Sequence, residues 1–234
     1  MADSYLSPLL ISLRTVIVAT VITFFLGIAA ARWMAHYNGK FKNLIDGLFI
    51  SPLVLPPTVV GLGLLLFFGK QGPLGPILSL LNTSIVFSWP ATVISATVMS
   101  FPLMYMTTLG AFEQVDSHIE DAARTLGASE WRVFWTVTMP LAWSGVAAAT
   151  VLSLARCLGE FGATLMLAGN IPGKTATIPI AIYFSIQAGD LNQALVLVGI
   201  VLAIALGALA AVAYWKGKAY KARIVPQMNT EKIE

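Results

Sequence analysis

Charge is what this sequence has least of. Only 11% of its 234 residues are Asp, Glu, Lys or Arg, against 57% hydrophobic, and the mean hydropathy is +0.81. A soluble domain carries about a quarter charged residues. A chain with less than half that share cannot hide its apolar side chains from water. This excludes a soluble enzyme and implies a protein that crosses the bilayer several times. Cysteine is nearly absent too: Cys157 is alone, so no intrachain disulfide can form, and its apolar surroundings read as those of a small buried hydrophobe. The two histidines, His36 and His118, lie far apart in sequence. No HExxH, Cys/His ligand set or GxSxG pattern is present. The run GKQGPLG lacks the residue order of a nucleotide-binding P-loop. No cofactor is expected, and the chain is not expected to be an enzyme. If it works against a gradient, another chain must bind the nucleotide.

What is present is a series of apolar runs, each near the ~20 residues that a bilayer requires. They lie at roughly 10–34, 46–68, 88–112, 136–159 and 192–215. No Lys or Arg precedes the first run and no small-residue cleavage site is clear, so it is expected to be a retained span. No internal repeat appears, and residues 1–234 read as a single domain. The fold expected is all-α and polytopic: about five transmembrane helices, a short polar helix between spans, and a re-entrant or interfacial segment. That last segment is TATIPIAIYFSIQAGD, residues 175–190, too short for a span and holding Pro179. A short interfacial helix is expected near 75–82.

Basic residues set the orientation. Arg32, Lys40, Lys42, Arg124, Arg132 and the tail residues Lys216, Lys218, Lys221, Arg223 and Lys232 fall on one side. Lys70 and Lys174 fall on the other. The bias puts the C-terminus and the basic tail 216–234 in the cytoplasm and the N-terminus outside. The tail reads as a topology and anionic-lipid signal rather than a nucleic-acid site.

Between the apolar runs lies one sizeable polar island, SHIEDAARTLGASEWRVFWTVTMP, residues 117–140. Ser117 followed by Glu120 predicts a capping box at a helix start. Gly127 stands where a left-handed C-terminal residue is wanted. Ile119, Ala122, Ala123 and Leu126 recur at helical spacing, with Asp121, Arg124 and Thr125 opposite. A small-faced, charged helix over 117–128 is suited to docking in a groove of another protein. A surface helix lying on the membrane is the plainer alternative.

Two further stretches draw attention. Pro52, Pro56 and Pro57 cannot sit in an uninterrupted helix. They predict either a split helix facing a pathway, where broken backbone is tolerated, or a proline cluster that merely starts the span. Arg156 and Glu160 sit four apart near the end of the fourth run, where they can pair along one helix face. They either line or brace a route, or Glu160 only neutralises Arg156. Gly159 and Gly162 flank Glu160 and permit a hinge.

The island resembles the EAA motif of the membrane subunits of bacterial ABC importers: E-A-A, three residues, Gly, nine residues, I-x-L-P. Here the positions are Asp121-Ala122-Ala123, Gly127, Val137, Met139 and Pro140, with Asp, Val and Met as conservative departures. SPLVLPPTVVG, FSWPATVISATVMSFPLM, DAARTLGASEWRVFWTVTMPLA and RCLGEFGATLMLAGNIPGKTATIPIAIY together look like molybdate ABC importer permeases, over about residues 8–215. GEFGATLMLAGNIPG is similar in outline to sulfate and tungstate permeases as well, so those cargoes stay open. The resemblance implies a homodimer forming the pore and two ATPase subunits gripping the coupling helices. It also implies an external binding protein that delivers the oxyanion. Glu120, Asp121, Ala122, Ala123, Arg124, Gly127 and Pro140 are then the ATPase-coupling residues. Pro56, Pro57, Arg156, Glu160 and Gly162 are the candidates for the pathway or gate. A secondary transporter without an ATPase would call for an internal repeat or more intramembrane ion-coupling residues.

Overall fold

The computed structural model describes residues 2–207. The end of the fifth expected span and the basic tail 216–234 lie outside the described residues. All regular structure within them is helical. In chain order the helices are α1 (Ala2–His36), α2 (Lys42–Val54), α3 (Pro57–Phe68), α4 (Gly75–Leu80), α5 (Trp89–Glu113), α6 (Ser117–Thr125) and α7 (Glu130–Val133). A π turn (Phe134–Thr138) leads into α8 (Met139–Leu158), followed by α9 (Gly162–Ala168), α10 (Ile178–Gln187) and α11 (Leu191–Gly207).

Three stretches are long and apolar enough to cross a bilayer among the described residues: Tyr5–His36, Trp89–Glu113 and Glu130–Leu158. The pair α2 and α3, bent by 113°, makes a fourth if counted as one broken span. These match the first, third, fourth and second expected runs. α11 opens the fifth. The expected segment after residue 175 is the ten-residue α10, and the short helix expected near 75–82 is α4.

The chain divides into two compact units, one through Ala181 and one from Ile182 onward. In the first, α1, α5 and α8 form the core. Thr15 and Thr92 share a hydrogen bond of 2.8 Å, and Thr23 and Ser100 one of 3.1 Å. Both partners advance by the same eight residues, so α1 and α5 run parallel. α8 runs antiparallel to α5: Cys157 meets the Ala96 carbonyl, Ser153 donates to that of Ser100, and Thr150 reaches Met104. Two parallel spans require the chain between them to recross the bilayer, so residues 37–88 carry the return crossing. The proline break lies within that return segment, where the 113° bend marks α2 and α3 as a broken span or a re-entrant loop.

Close approach relies on small residues, as helices in lipid require. A Cβ on Gly27 would stand 2.4 Å from Met104, and one on Gly145 would stand 2.4 Å from Ala111. Ile28, Ala31, Met34, Met104, Tyr105, Phe112, Phe134 and Val146 fill the core between them. Tyr105 donates to Asp46 at 2.6 Å, fastening α2 to α5. In the second unit α11 presents Leu191, Leu195 and Leu202 outward and buries Ala194 and Leu197.

Candidate functional site

α6 forms where the sequence places a helix, but its start differs from expectation. Asp116, not Ser117, is the N-cap, and its carboxylate accepts from the His118 N–H at 2.9 Å. Ser117 is already helical. Glu120 does not reach back to close a capping box. One of its oxygens accepts from Thr138 at 2.5 Å and the other from Arg124 at 3.3 Å. A charged partner and a hydroxyl outcompete a solvated backbone N–H for that carboxylate. The helix ends as expected, with Gly127 at φ +84°. The Gly127 N–H bonds the Arg124 carbonyl at 2.9 Å and the Ala128 N–H that of Ala123 at 3.1 Å, a Schellman closure.

Arg124 is the centre of the segment. It donates to Asp121 at 2.7 Å and to both oxygens of Glu130 at 2.7 and 3.2 Å, as well as to Glu120. Hydrogen bonds to Glu130 and Asp121 raise its pKa above the ordinary arginine value, so it stays charged at any accessible pH. Glu120, Asp121 and Arg124 are thus brought together. Ala122 and Ala123 carry the small face: Ala122 is exposed and Ala123 half-buried, α6 has no fully buried residue, and Leu126 is 88% exposed. Pro140 is not part of the cluster. It occupies the second position of α8, just after the π turn, where the wider turn eases the clash of its ring with the preceding carbonyl.

Sequence reasoning missed Glu130, Thr138 and Arg32. Glu130 and Thr138 lie six and eighteen residues from their partners, beyond any helical spacing rule. Arg32 donates to the Glu130 carbonyl at 3.2 Å from 98 residues away.

The second cluster forms around Glu160. Arg156 pairs with it at 2.8 Å, as the spacing predicts. However, α8 ends at Leu158, so Glu160 lies beyond the helix rather than along its face. It is 3% exposed. Its other oxygen accepts from the backbone N–H of Ala163 at 2.8 Å and of Thr164 at 3.4 Å. One buried carboxylate therefore neutralises a cation and caps α9, where negative charge is favoured. Gly159 closes α8 at φ −90°, a conformation open to any residue.

α9 packs on α3. Pro56 is the N-cap of α3 and Pro57 its first residue, the position where a missing N–H costs nothing. A Cβ on Gly162 would stand 2.9 Å from Cβ of Pro57. Gly162 is thus required by contact with the proline break, whether or not it also bends. Pro56, Pro57, Gly162, Glu160 and Arg156 form one connected structure where α8, α9 and α3 meet.

Residues 13–223 match the family model described as "Binding-protein-dependent transport system inner membrane component". The chain is 44% identical over 188 residues to the molybdenum transport system permease protein ModB of Escherichia coli (strain K12), covering 80% of this chain and 82% of that one. It is 42% identical over 190 residues to a putative molybdenum transport system permease protein of Bacillus subtilis (strain 168), covering 81% and 84%. Among solved structures, a bacterial ABC transporter involved in the import of the acidic polysaccharide alginate aligns with TM-score 0.76 at 18% identity, over 94% of this chain and 80% of that one.

Proposed function

The chain belongs to the family of binding-protein-dependent transport system inner membrane components, and from that premise we propose that it is the membrane-spanning permease subunit of an ATP-driven importer of molybdate. The observation that carries the reading is identity above 40% to molybdenum permeases over four fifths of the chain.

In this reading α6 is the coupling helix. Its exposed Ala122 and Leu126 seat in a groove of a separate ATPase, while the Arg124 cluster keeps the helix rigid under load. Two copies of the permease form the pore, two ATPases sit beneath them, and an external binding protein delivers the oxyanion. The α6 end of the bundle faces the cytoplasm and the N-terminus lies outside. The Lys and Arg bias supports this, and the parallel course of α1 and α5 agrees with it. ATP binding draws the coupling helices together, and α8 transmits the movement to the structure built on Arg156, Glu160, Gly162, Pro56 and Pro57, which borders the pathway. Arg156 is held by Glu160, so a passing dianion meets a largely neutralised cation. A conduit that must release its cargo should not bind it tightly.

The test is uptake into proteoliposomes holding the permease, its ATPase and its binding protein. ATP-dependent molybdate accumulation is expected, with excess tungstate and sulfate separating the three anions by competition. Uphill uptake by the permease alone would overturn the reading.

A further inference from the structure

α6 has no fully buried residue, and its principal packing partners are α7 and the π turn. Its polar fastenings lead to the same place: Arg124 to Glu130, and Glu120 to Thr138. Whatever moves α6 therefore moves the segment from Glu130 to Thr138.

Arg32, near the end of α1, grips that segment from the other side. Its Nη2 donates to the Glu130 carbonyl at 3.2 Å. Its guanidinium carbon lies 3.9 Å from the centre of the Phe134 ring and 5.6 Å from that of Trp131. Phe134 is buried in the core with Ala31, Met34 and Phe112. A planar cation can lie against a ring and donate sideways in its own plane, which an ammonium cannot do.

Two observations separate this contact from static packing. Arg32 Nη1 is buried and has no hydrogen-bond partner, which is costly for a charged donor. Arg32 also lines a cavity of about 200 Å³ together with Ser117, Glu120 and Thr138. An unused buried donor on Arg32, together with a space that Arg32 shares with Glu120, suits a joint that rearranges.

We propose that Arg32 is a positioning residue that carries displacement of the α6–α7 segment into the first span. The proposal rests on the importer reading above. Arg32→Met is tested in the full complex of permease, ATPase and binding protein, with molybdate as cargo. The variant is expected to assemble and keep its basal ATP hydrolysis, while molybdate moved per ATP falls by about fivefold or more, the scale of a typical coupling between sites. Arg32→Lys is expected to recover only part of that loss. An unchanged ratio of uptake to hydrolysis in R32M overturns the proposal, and so does a parallel fall in both. If R32M does not assemble, Phe134→Leu removes the ring beneath the guanidinium while keeping an apolar side chain in the core, and the same ratio decides. Absence of ATP-driven uptake in the unsubstituted complex overturns the importer reading and this proposal with it, and that control separates the two failures.

Discussion

Gly61 and Ala163 meet backbone to backbone: a Cβ on Gly61 would stand 2.8 Å from the Cα of Ala163. With the contact of Pro57 against Gly162, this locks α3 and α9 together just beyond the proline break. In the importer reading the two short helices move as one piece.

Gly61→Val should force that piece apart. Overpacking at a close contact costs about 1–3 kcal/mol. The expected result is a lowered melting temperature in detergent and a larger loss of molybdate uptake than of ATPase binding. Uptake at the unsubstituted rate would show that the contact is dispensable.

Glu160→Gln removes the charge that holds Arg156 while leaving an oxygen able to cap α9. Breaking a buried ion pair costs ~3–5 kcal/mol, and because the Arg156 side chain is 23% exposed the loss should fall at or below the low end. Removing both charges while keeping the cap, as in R156M/E160Q, should recover much of the stability. A double variant as unstable as the sum of the single ones would contradict pairing. Arg156→Ala should lower anion flux with assembly intact, and unchanged flux would reduce Arg156 to a structural role.

Gly127→Ala places a side chain at φ +84°, which costs about 1–2 kcal/mol for an L-residue. Space is not the limit there, since a Cβ on Gly127 would have no neighbour within 4 Å. Gly127→Trp should therefore leave the permease folded and reduce co-purification of the ATPase. Full recovery of the intact complex with G127W would argue against docking at this face.

Asp121→Lys should separate folding from coupling. Asp121 is an exposed arm of the Arg124 cluster, with 65% of its side chain accessible, and single exposed pairs contribute little to stability. The melting temperature should hardly change while ATP-driven uptake in membrane vesicles falls. Normal uptake would remove Asp121 from the coupling residues.

Much of this was legible in the chain because its signals are local. The apolar runs located three long spans, Gly127 announced the end of α6, and the spacing of Arg156 and Glu160 predicted their pair. The errors were local as well. Ser117 and Asp116 are both good caps one residue apart, and composition alone could not choose between them. The capping box failed because Glu120 had a better partner in Thr138, a residue that helical periodicity does not bring near it. The contact of Gly162 with Pro57 was not legible, because the two lie more than a hundred residues apart.

The sequence by itself determined that this is a polytopic helical membrane protein with a short polar helix between spans, because hydropathy and capping act within a few residues. Only the tertiary structure decided that α1 and α5 run parallel, that Glu160 serves both Arg156 and α9, and that Arg32 joins α1 to the α7 segment. Those facts depend on which small residues let helices approach and which buried polar groups then find one another. Such contacts join positions 77, 98 or more residues apart, and no periodicity encodes them.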